Sequence, residues 1–506
     1  MLAKIKTCAV IGIEACSVQV EVEVRSTHKS NFTIVGLVDT AVKESKERVL
    51  AALKYSGFRI PESILVNLAP AELKKEGSGF DLAIAVGILA ASRQIDPKNL
   101  SKIYIHGELA LDGSVKAVKG AAALAIEARA NNAEYLIIPE ANAAEASLID
   151  GIKVIPLRNI FQIKDFLKGE FSFLKIQPSK PNEKYSSKCF SQVQGQELVK
   201  RAMKIAAVGN HNILMIGPPG CGKSMLAERF PGILPPLGLK EKLETVKIYS
   251  AAGLDIRQII SGERPYRTPH HVVSDVGLIG GGTYPKPGEI SLAHNGVLFL
   301  DEFPEYRRGA LEAMRAPLEN GVVQISRAKA SLLFPAKFQL LAAMNPCPRG
   351  GPCDPNKNCK CLPQEVRKYL GKLSEPILDR IDMHIELNPI PLSLITSKQY
   401  SHKTETSIEI RKKVIVARDK AISRQGKVNS ELLGGELNEE NGFSKQVNSF
   451  LEKASSKRNL SARAFIRCLR VARTIADLDD SDQVTNEHAI EALSYRSLER
   501  LNSRYS

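Results

Sequence analysis

Apolar and polar side chains alternate strictly along Val18-Gln19-Val20-Glu21-Val22-Glu23-Val24, the period of two that a strand with one buried face requires. The Ala-rich stretch from Gly120 to Asn131 is helical in composition. Across 1–172 such stretches alternate with short Val/Ile-rich strands, which predicts a first domain of mixed structure. The pattern lapses at 173–189, where Pro178 and Pro181 interrupt a polar run with no apolar period; this reads as a linker. Over 190–390 glycine and proline clusters separate apolar runs of strand length, among them Asn212-Ile213-Leu214-Met215-Ile216 and Gly296-Val297-Leu298-Phe299-Leu300. That is the pattern of an α/β domain with working loops. Past Pro389-Ile390-Pro391 the chain becomes helical in pattern and rich in Arg and Lys, with few turn signals before Gly434-Gly435. A multidomain α/β chain is therefore expected, closing with an all-α segment over 391–506. No fixed-period repeat is present.

Composition narrows the class. A chain of 506 residues is long enough for about three domains. Its 43% hydrophobic and 25% charged content is that of an ordinary globular protein and excludes global disorder. Lys plus Arg (70) exceed Asp plus Glu (55), leaving +15. Such an excess favours a polyanionic partner without separating nucleic acid from a membrane surface or a ribosome. No apolar run approaches the roughly 18 residues of a membrane span. The short N-terminal apolar stretch is broken by Glu14, so no secretory signal is expected. Nine cysteines, an odd number with four clustered, point to a reducing cytoplasm and away from a disulfide framework.

The chemistry starts at Gly217-Pro218-Pro219-Gly220-Cys221-Gly222-Lys223-Ser224. This is Gly-x4-Gly-Lys-Ser between a strand-like run and the helical Met225-Leu226-Ala227-Glu228-Arg229. Glycines let main-chain N–H groups turn inward around phosphates, and a helix N-terminus adds positive potential. Lys223 would reach the β/γ-phosphates of ATP and Ser224 would ligate Mg²⁺. The run Gly296–Leu300 ends in Asp301-Glu302. Asp301 would hold the Mg²⁺ shell, and Glu302 would polarise the attacking water.

With these residues the chain resembles the AAA+ ATPases and, within them, the magnesium-chelatase-like branch. Arg267-Thr268-Pro269-His270-His271 with Leu278-Ile279-Gly280-Gly281-Gly282 is similar to that branch's insertion in its second helix. Phe338-Gln339-Leu340-Leu341-Ala342-Ala343-Met344-Asn345-Pro346 looks like the sensor-1 strand, with Asn345 in the sensing position. Leu378-Asp379-Arg380-Ile381-Asp382 looks like the arginine-finger segment. The resemblance implies a P-loop core with a parallel sheet and a helical C-terminal lid. It also implies that Arg380 reaches the γ-phosphate of a neighbouring subunit in an ATP-dependent ring, usually of six. The helix opened by Asn459-Leu460-Ser461-Ala462-Arg463 is similar to the sensor-2 helix, with Arg463 as a second arginine on the nucleotide; Arg467 and Arg470 read as a solvated face.

Residues 1–172 resemble the proteolytic domain of the Lon family, an α+β fold of the S5 domain 2 type. The resemblance lies in Lys74-Lys75-Glu76-Gly77-Ser78-Gly79-Phe80-Asp81-Leu82-Ala83, Gly107-Glu108-Leu109-Ala110-Leu111-Asp112-Gly113-Ser114-Val115 and Leu136-Ile137-Ile138-Pro139-Glu140. Lon-type peptidases use a serine activated by a lysine. The register of Glu76-Gly77 puts the serine position on Gly79, and that of Gly107–Val115 puts the lysine position on Ala122. Both reactive groups are missing, so a scaffold or assembly module is expected and not a protease; Ser78 and Lys119 remain as a shifted dyad. The domain order is similar to the bacterial YifB/ComM group, which implies a ring helicase promoting branch migration in natural transformation.

Val322-Val323-Gln324-Ile325-Ser326-Arg327-Ala328-Lys329-Ala330-Ser331-Leu332-Leu333-Phe334 reads as a hairpin with Arg327 and Lys329 near its tip. In related replicative helicases a hairpin here points a lysine into the channel. Lys329 matches it, which implies sequence-tolerant phosphate contact with single-stranded or branched DNA; an ordinary surface charge is the alternative. Cys347, Cys353, Cys359 and Cys361 are close enough to bind Zn²⁺, although Cys-x5-Cys-x5-Cys-x-Cys is not a standard zinc spacing; reduced structural thiols are the favoured alternative. Two other functions compete with a DNA motor. A chelatase motor subunit for metal insertion has no need of the +15 charge or the Lon-like domain. An ATP-dependent protease or unfoldase is opposed by Gly79 and Ala122.

Overall fold

The computed structural model describes residues 1–25, 31–168, 188–282, 285–327, 330–349, 361–389, 405–458 and 460–496. Two compact units emerge: Met1–Pro181 together with Leu239–Ser261, and Asn182–Gly238 together with Gly262–Ser506.

In the first unit, seven strands form one sheet: β1 (Leu2–Ile11), β2 (Glu14–Arg25), β3 (Asn31–Val35), β4 (Ser63–Ala69), β5 (Ile103–Ile105), β6 (Tyr135–Pro139) and β7 (Lys153–Leu157), in the order β3-β4-β2-β1-β5-β6-β7. The alternation read in the sequence is realised in β2, where Val18, Val20 and Val22 are buried and the residues between them are not. A tight turn at Gly12 sets the antiparallel register from Leu2↔Glu23 to Ile11↔Glu14. Beyond β1 the pairing turns parallel through β5, β6 and β7. The helix Asp81–Ala91 is buried along its whole length. It approaches β2 closely at Gly87, where a Cβ would lie 2.5 Å from Val22 Cγ2.

The segment Leu239–Ser261 falls in sequence inside the expected 190–390 domain, yet by contact it belongs to the first unit. Leu243 joins an apolar cluster with Leu124, Leu136 and Ile138. Ser250 Oγ accepts the Gly120 N–H at 2.7 Å, and Lys247 pairs with Glu14 at 2.9 Å. Glu145, buried beside them, accepts the Ala122 N–H at 2.7 Å. Burial pushes its carboxyl up, partly offset by hydrogen bonds from Ser250, Ala122 and Asn142. Position in the chain does not say which core an inserted helix covers; its apolar face decides.

The second unit is built on a five-stranded parallel sheet of β8 (Ile213–Ile216), β9 (Tyr266–Arg267), β10 (Val297–Leu300), β13 (Gln339–Met344) and β14 (Met383–Glu386), in the order β9-β10-β13-β8-β14. Between β10 and β13 the strands β11 (Val322–Arg327) and β12 (Ala330–Pro335) form a separate antiparallel pair. Strands β8, β10 and β13 are buried at every residue, as continuous apolar runs covered on both faces must be. One hydrophobic cluster extends from Phe190 through the sheet to Tyr495. It takes in Ile410, Val414 and Ala417 of the helix Ser407–Gln425 and Leu469, Ala472 and Ile475 of the helix Ala462–Leu478. The C-terminal helices therefore share the core of the sheet.

Candidate nucleotide site

Three neighbouring parallel strands deliver their following loops to one edge of the sheet: Gly217–Ser224 after β8, Asp301-Glu302 after β10 and Asn345 after β13. This is the carboxyl edge where open α/β sheets bind ligands. The loop after β8 depends on its glycines. Gly220 and Gly222 have φ of 77° and 94°, and a Cβ on Gly217 would lie 2.7 Å from Leu387 O and 2.9 Å from Cys221 Sγ. Pro218 and Pro219 stiffen the exposed arc between them, while Cys221 points into the core with its thiol pushed up by burial.

Side chains converge on this loop. The Lys223 ammonium donates to Gly217 O at 2.6 Å, Pro218 O at 3.0 Å and Asn345 Oδ1 at 3.1 Å. Ser224 Oγ donates to Asp301 Oδ2 at 2.7 Å, and Asp301 Oδ1 accepts the Glu302 N–H at 2.9 Å. A hydroxyl and a carboxylate this close at an accessible edge are the hard oxygen donors Mg²⁺ selects, so the residues fit that ion. Glu302 sits at φ 51°, a left-handed conformation that costs a non-glycine residue about 1 kcal/mol and clusters at functional sites. Its Oε2 lies 2.9 Å from His271 Nδ1. The His270 ring stands 4.2 Å from that of His271, and Tyr306 ties the segment down by donating to Pro269 O at 2.5 Å. Arg267 is fixed by a two-pronged bond to Glu289, 2.6 Å on each arm. The sequence marked His271 only as part of a motif; its pairing with Glu302 was not legible because nothing local encodes it.

Arg380 lies elsewhere. It precedes β14, which runs parallel to β8 from Ile213↔Met383 to Ile216↔Glu386. The strand length, roughly 13 Å, therefore separates it from the phosphate loop of its own chain. Arg380 is 8% exposed and donates to Pro376 O at 2.6 Å and to Glu319. Arg463, exposed at the start of the helix Ala462–Leu478, acts electrostatically on the same Glu319. The structure thus groups Lys223, Ser224, Asp301, Glu302 and Asn345 at one edge, and Arg380 with Arg463 at the other.

Arg467 and Arg470 correct the expectation of a solvated face. Arg467 donates to the buried carboxylate of Asp382. Burial works to raise that carboxyl, but Arg467 and His211 outweigh it and hold it well below the usual carboxylate range. Arg470 Nε donates to Leu432 O at 2.7 Å, and Arg473, one turn further, is completely buried on Asp477. Arg467 thus ties the C-terminal helices to the residue before β14, whereas Arg470 and Arg473 hold the C-terminal helices and their loops together.

At the first unit's candidate dyad, a Cβ on Gly79 would lie 2.1 Å from His106 Nε2. The imidazole occupies the space a serine side chain would need. Ala122 is buried; Ser78 Oγ donates to Glu108, and the Lys119 side chain lies against Gly253. Among the described residues no hydrogen bond joins Ser78 to Lys119. Arg327 ends β11 opposite Ala330, and Lys329 lies outside the described residues. So do Cys353 and Cys359, whereas Cys347 and Cys361 share a small apolar cluster with Val366 and Leu370. Among the described residues, which include two of the four cysteines, no group of three or more His, Cys, Asp or Glu is placed to hold a metal. No helix among them is long and apolar enough to cross a membrane.

A parallel sheet with these loops on one edge and helices closing the core is the arrangement of a P-loop ATPase. The family described as "Magnesium chelatase, subunit ChlI" matches residues 189–394, "Subunit ChlI of Mg-chelatase" matches 20–142, and "Magnesium chelatase, subunit ChlI C-terminal" matches 404–496. The chain is 42% identical to YifB of Salmonella typhimurium over 99% of its own length and 98% of the relative's. It is equally 42% identical to competence protein ComM of Haemophilus influenzae, over 100% and 99%. A more distant similarity, 25% over 60% of this chain and 36% of the relative, is to the DNA replication licensing factor Mcm6 of Drosophila melanogaster. The chain belongs to the YifB/ComM family of magnesium-chelatase-like proteins. Its members are AAA+-type ATPases, which use ATP and Mg²⁺ and usually form oligomers.

Proposed function

We propose that this chain is an ATP-driven ring motor acting on DNA, of the branch-migration helicase kind. What supports it is one juxtaposition: the phosphate loop with its two carboxylates and Asn345 lies at one sheet edge, while Arg380 and Arg463 lie at the other. A head-to-tail contact between copies would bring the two sets together, and repetition of such a heterologous contact closes a ring. Lys223 and the main-chain N–H groups of Gly217–Ser224 would then hold the triphosphate. Ser224 and Asp301 would hold Mg²⁺, which when bound neutralises charge on the β- and γ-phosphates. Glu302 would orient the attacking water, Asn345 would sense the γ-phosphate, and the neighbour's Arg380 and Arg463 would stabilise developing charge. Net charge of +15, the β11–β12 pair between whose strands Lys329 falls in the chain, and the names of the ComM and Mcm6 relatives support DNA as the polymer moved. The first unit is read as a Lon-like domain without its dyad, with the His106 ring where the nucleophile would stand, and so as an assembly module.

A second reading, a motor that remodels a protein partner or drives metal insertion, is favoured by the three magnesium-chelatase matches. ATP turnover and strand displacement on forked and four-way DNA separate the two. The DNA motor predicts turnover stimulated by branched DNA and displaced strand. In Lys223→Ala both should fall by about 100-fold or more, the scale on which a charge-stabilising group matters. Identical behaviour of wild type and variant would end the motor reading, and turnover indifferent to DNA would favour the second.

A further inference from the structure

Arg380 is not held as a group ready to reach outward. Its side chain is 10% exposed, whereas that of its partner Glu319 is 57% exposed, so the carboxylate lies on the solvent side of the guanidinium and caps it. Pro376 O takes one arm of the fork and Glu319 the other, and Arg380 Nε is buried with no hydrogen-bond partner among the described residues. A fork with five donors is thus only partly satisfied. Glu319 also draws on Arg463 and Arg315, with Arg380 the largest influence holding its carboxyl low. Arg315 has a second carboxylate, Glu312, at 3.0 Å. Arg380 and Arg463 therefore share Glu319 as their common surface anion.

We propose that Glu319 is a latch on the arginines that complete a neighbouring subunit's ATP site. In the separate chain it neutralises Arg380 and covers it. A triphosphate presented by the next subunit is the stronger anion; it displaces Glu319 and draws Arg380 and Arg463 onto itself. Glu319 touches neither nucleotide nor water in the reaction, so it is a positioning residue that raises the threshold for productive assembly. This inference rests on the reading that Arg380 acts across a subunit interface.

The test compares ATP turnover per chain, without DNA and across a range of protein concentrations, for wild type, Glu319→Gln, Arg380→Ala and the double variant. Glu319→Gln should raise turnover about three- to fivefold at low protein concentration, the factor a half-exposed ion pair is worth, with half-maximal activity reached at lower concentration. In the Arg380→Ala background the same change should add nothing. A Glu319→Gln chain no faster than wild type, with Arg380→Ala impaired, overturns the latch alone. A gain that persists without Arg380 also overturns it. If Arg380→Ala turns over ATP like wild type, the interface reading falls and the latch with it.

Discussion

His106 stands where the space beside Gly79 would otherwise admit a side chain, and its surroundings set its titration. Burial alone pushes its imidazole down to about 4, with Thr7 Oγ1 3.0 Å from Nδ1 as its polar contact. The folded state therefore binds a proton more weakly than the unfolded chain, whose value is near 6.5. Stability from neutral His106 is fully present above about pH 6.5 and is lost as pH falls towards 4, by about 2–3 kcal/mol at pH 4.5. Unfolding free energies from urea titrations at pH 7 and pH 4.5 should show a smaller drop for His106→Gln than for wild type by that amount; equal drops would mean the ring is solvated in the fold. Residues of this kind mark where the sequence is legible and where it is silent. Lys223, Ser224 and Asp301 could be read because their spacing encodes a backbone geometry. Arg467 could not, since a helical wheel scores any arginine as polar and the carboxylate that buries it, Asp382, is far away in the chain.

Elements were read most securely where period and burial coincide. The alternating β2 and the wholly apolar β8 and β10 fell where the hydrophobic pattern put them, because sheets bury strands by that pattern. The helix Leu239–Ala252 shows the limit: its helical character is local, but the identity of the core it covers depends on Gly120, Glu14 and Leu124 in another part of the chain. The β11–β12 hairpin carries the functional expectation at this scale. A cation at its tip that follows phosphates should matter only when DNA is present. Lys329→Ala should therefore remove most of the DNA-stimulated ATP turnover, make the remainder less salt-sensitive, and leave DNA-free turnover within about twofold of wild type. Undiminished stimulation would assign the hairpin another role.

For the whole molecule, the arrangement of the second unit matters more than any single group. Parallel strands send every loop that follows them to one edge and every loop that precedes them to the other. The residues proposed to hold nucleotide and those proposed to complete the charge are thereby separated within a chain, and the proposed head-to-tail contact would make them complementary between copies. The sequence showed both sets of motifs but not their opposition, which follows from strand order β9-β10-β13-β8-β14 and not from spacing. Nor did it show that 405–496 shares the core of the sheet, so that a shift of the C-terminal helices would be felt at Asp382 and at the start of β8. Family membership supports an oligomeric ATPase, and under the proposed function the topology gives a physical reason why one copy would be incomplete.

Subunit mixing tests this most directly. Lys223→Ala chains lack the lysine on the phosphates but keep Arg380; Arg380→Ala chains keep the phosphate loop but lack the arginine. Each should be nearly inactive alone. Mixed in equal amounts and allowed to assemble with ATP and Mg²⁺, they should recover about a quarter of wild-type ATP turnover, the share of head-to-tail interfaces that draw an intact half from each partner. A mixture no more active than its two components would contradict hydrolysis between subunits.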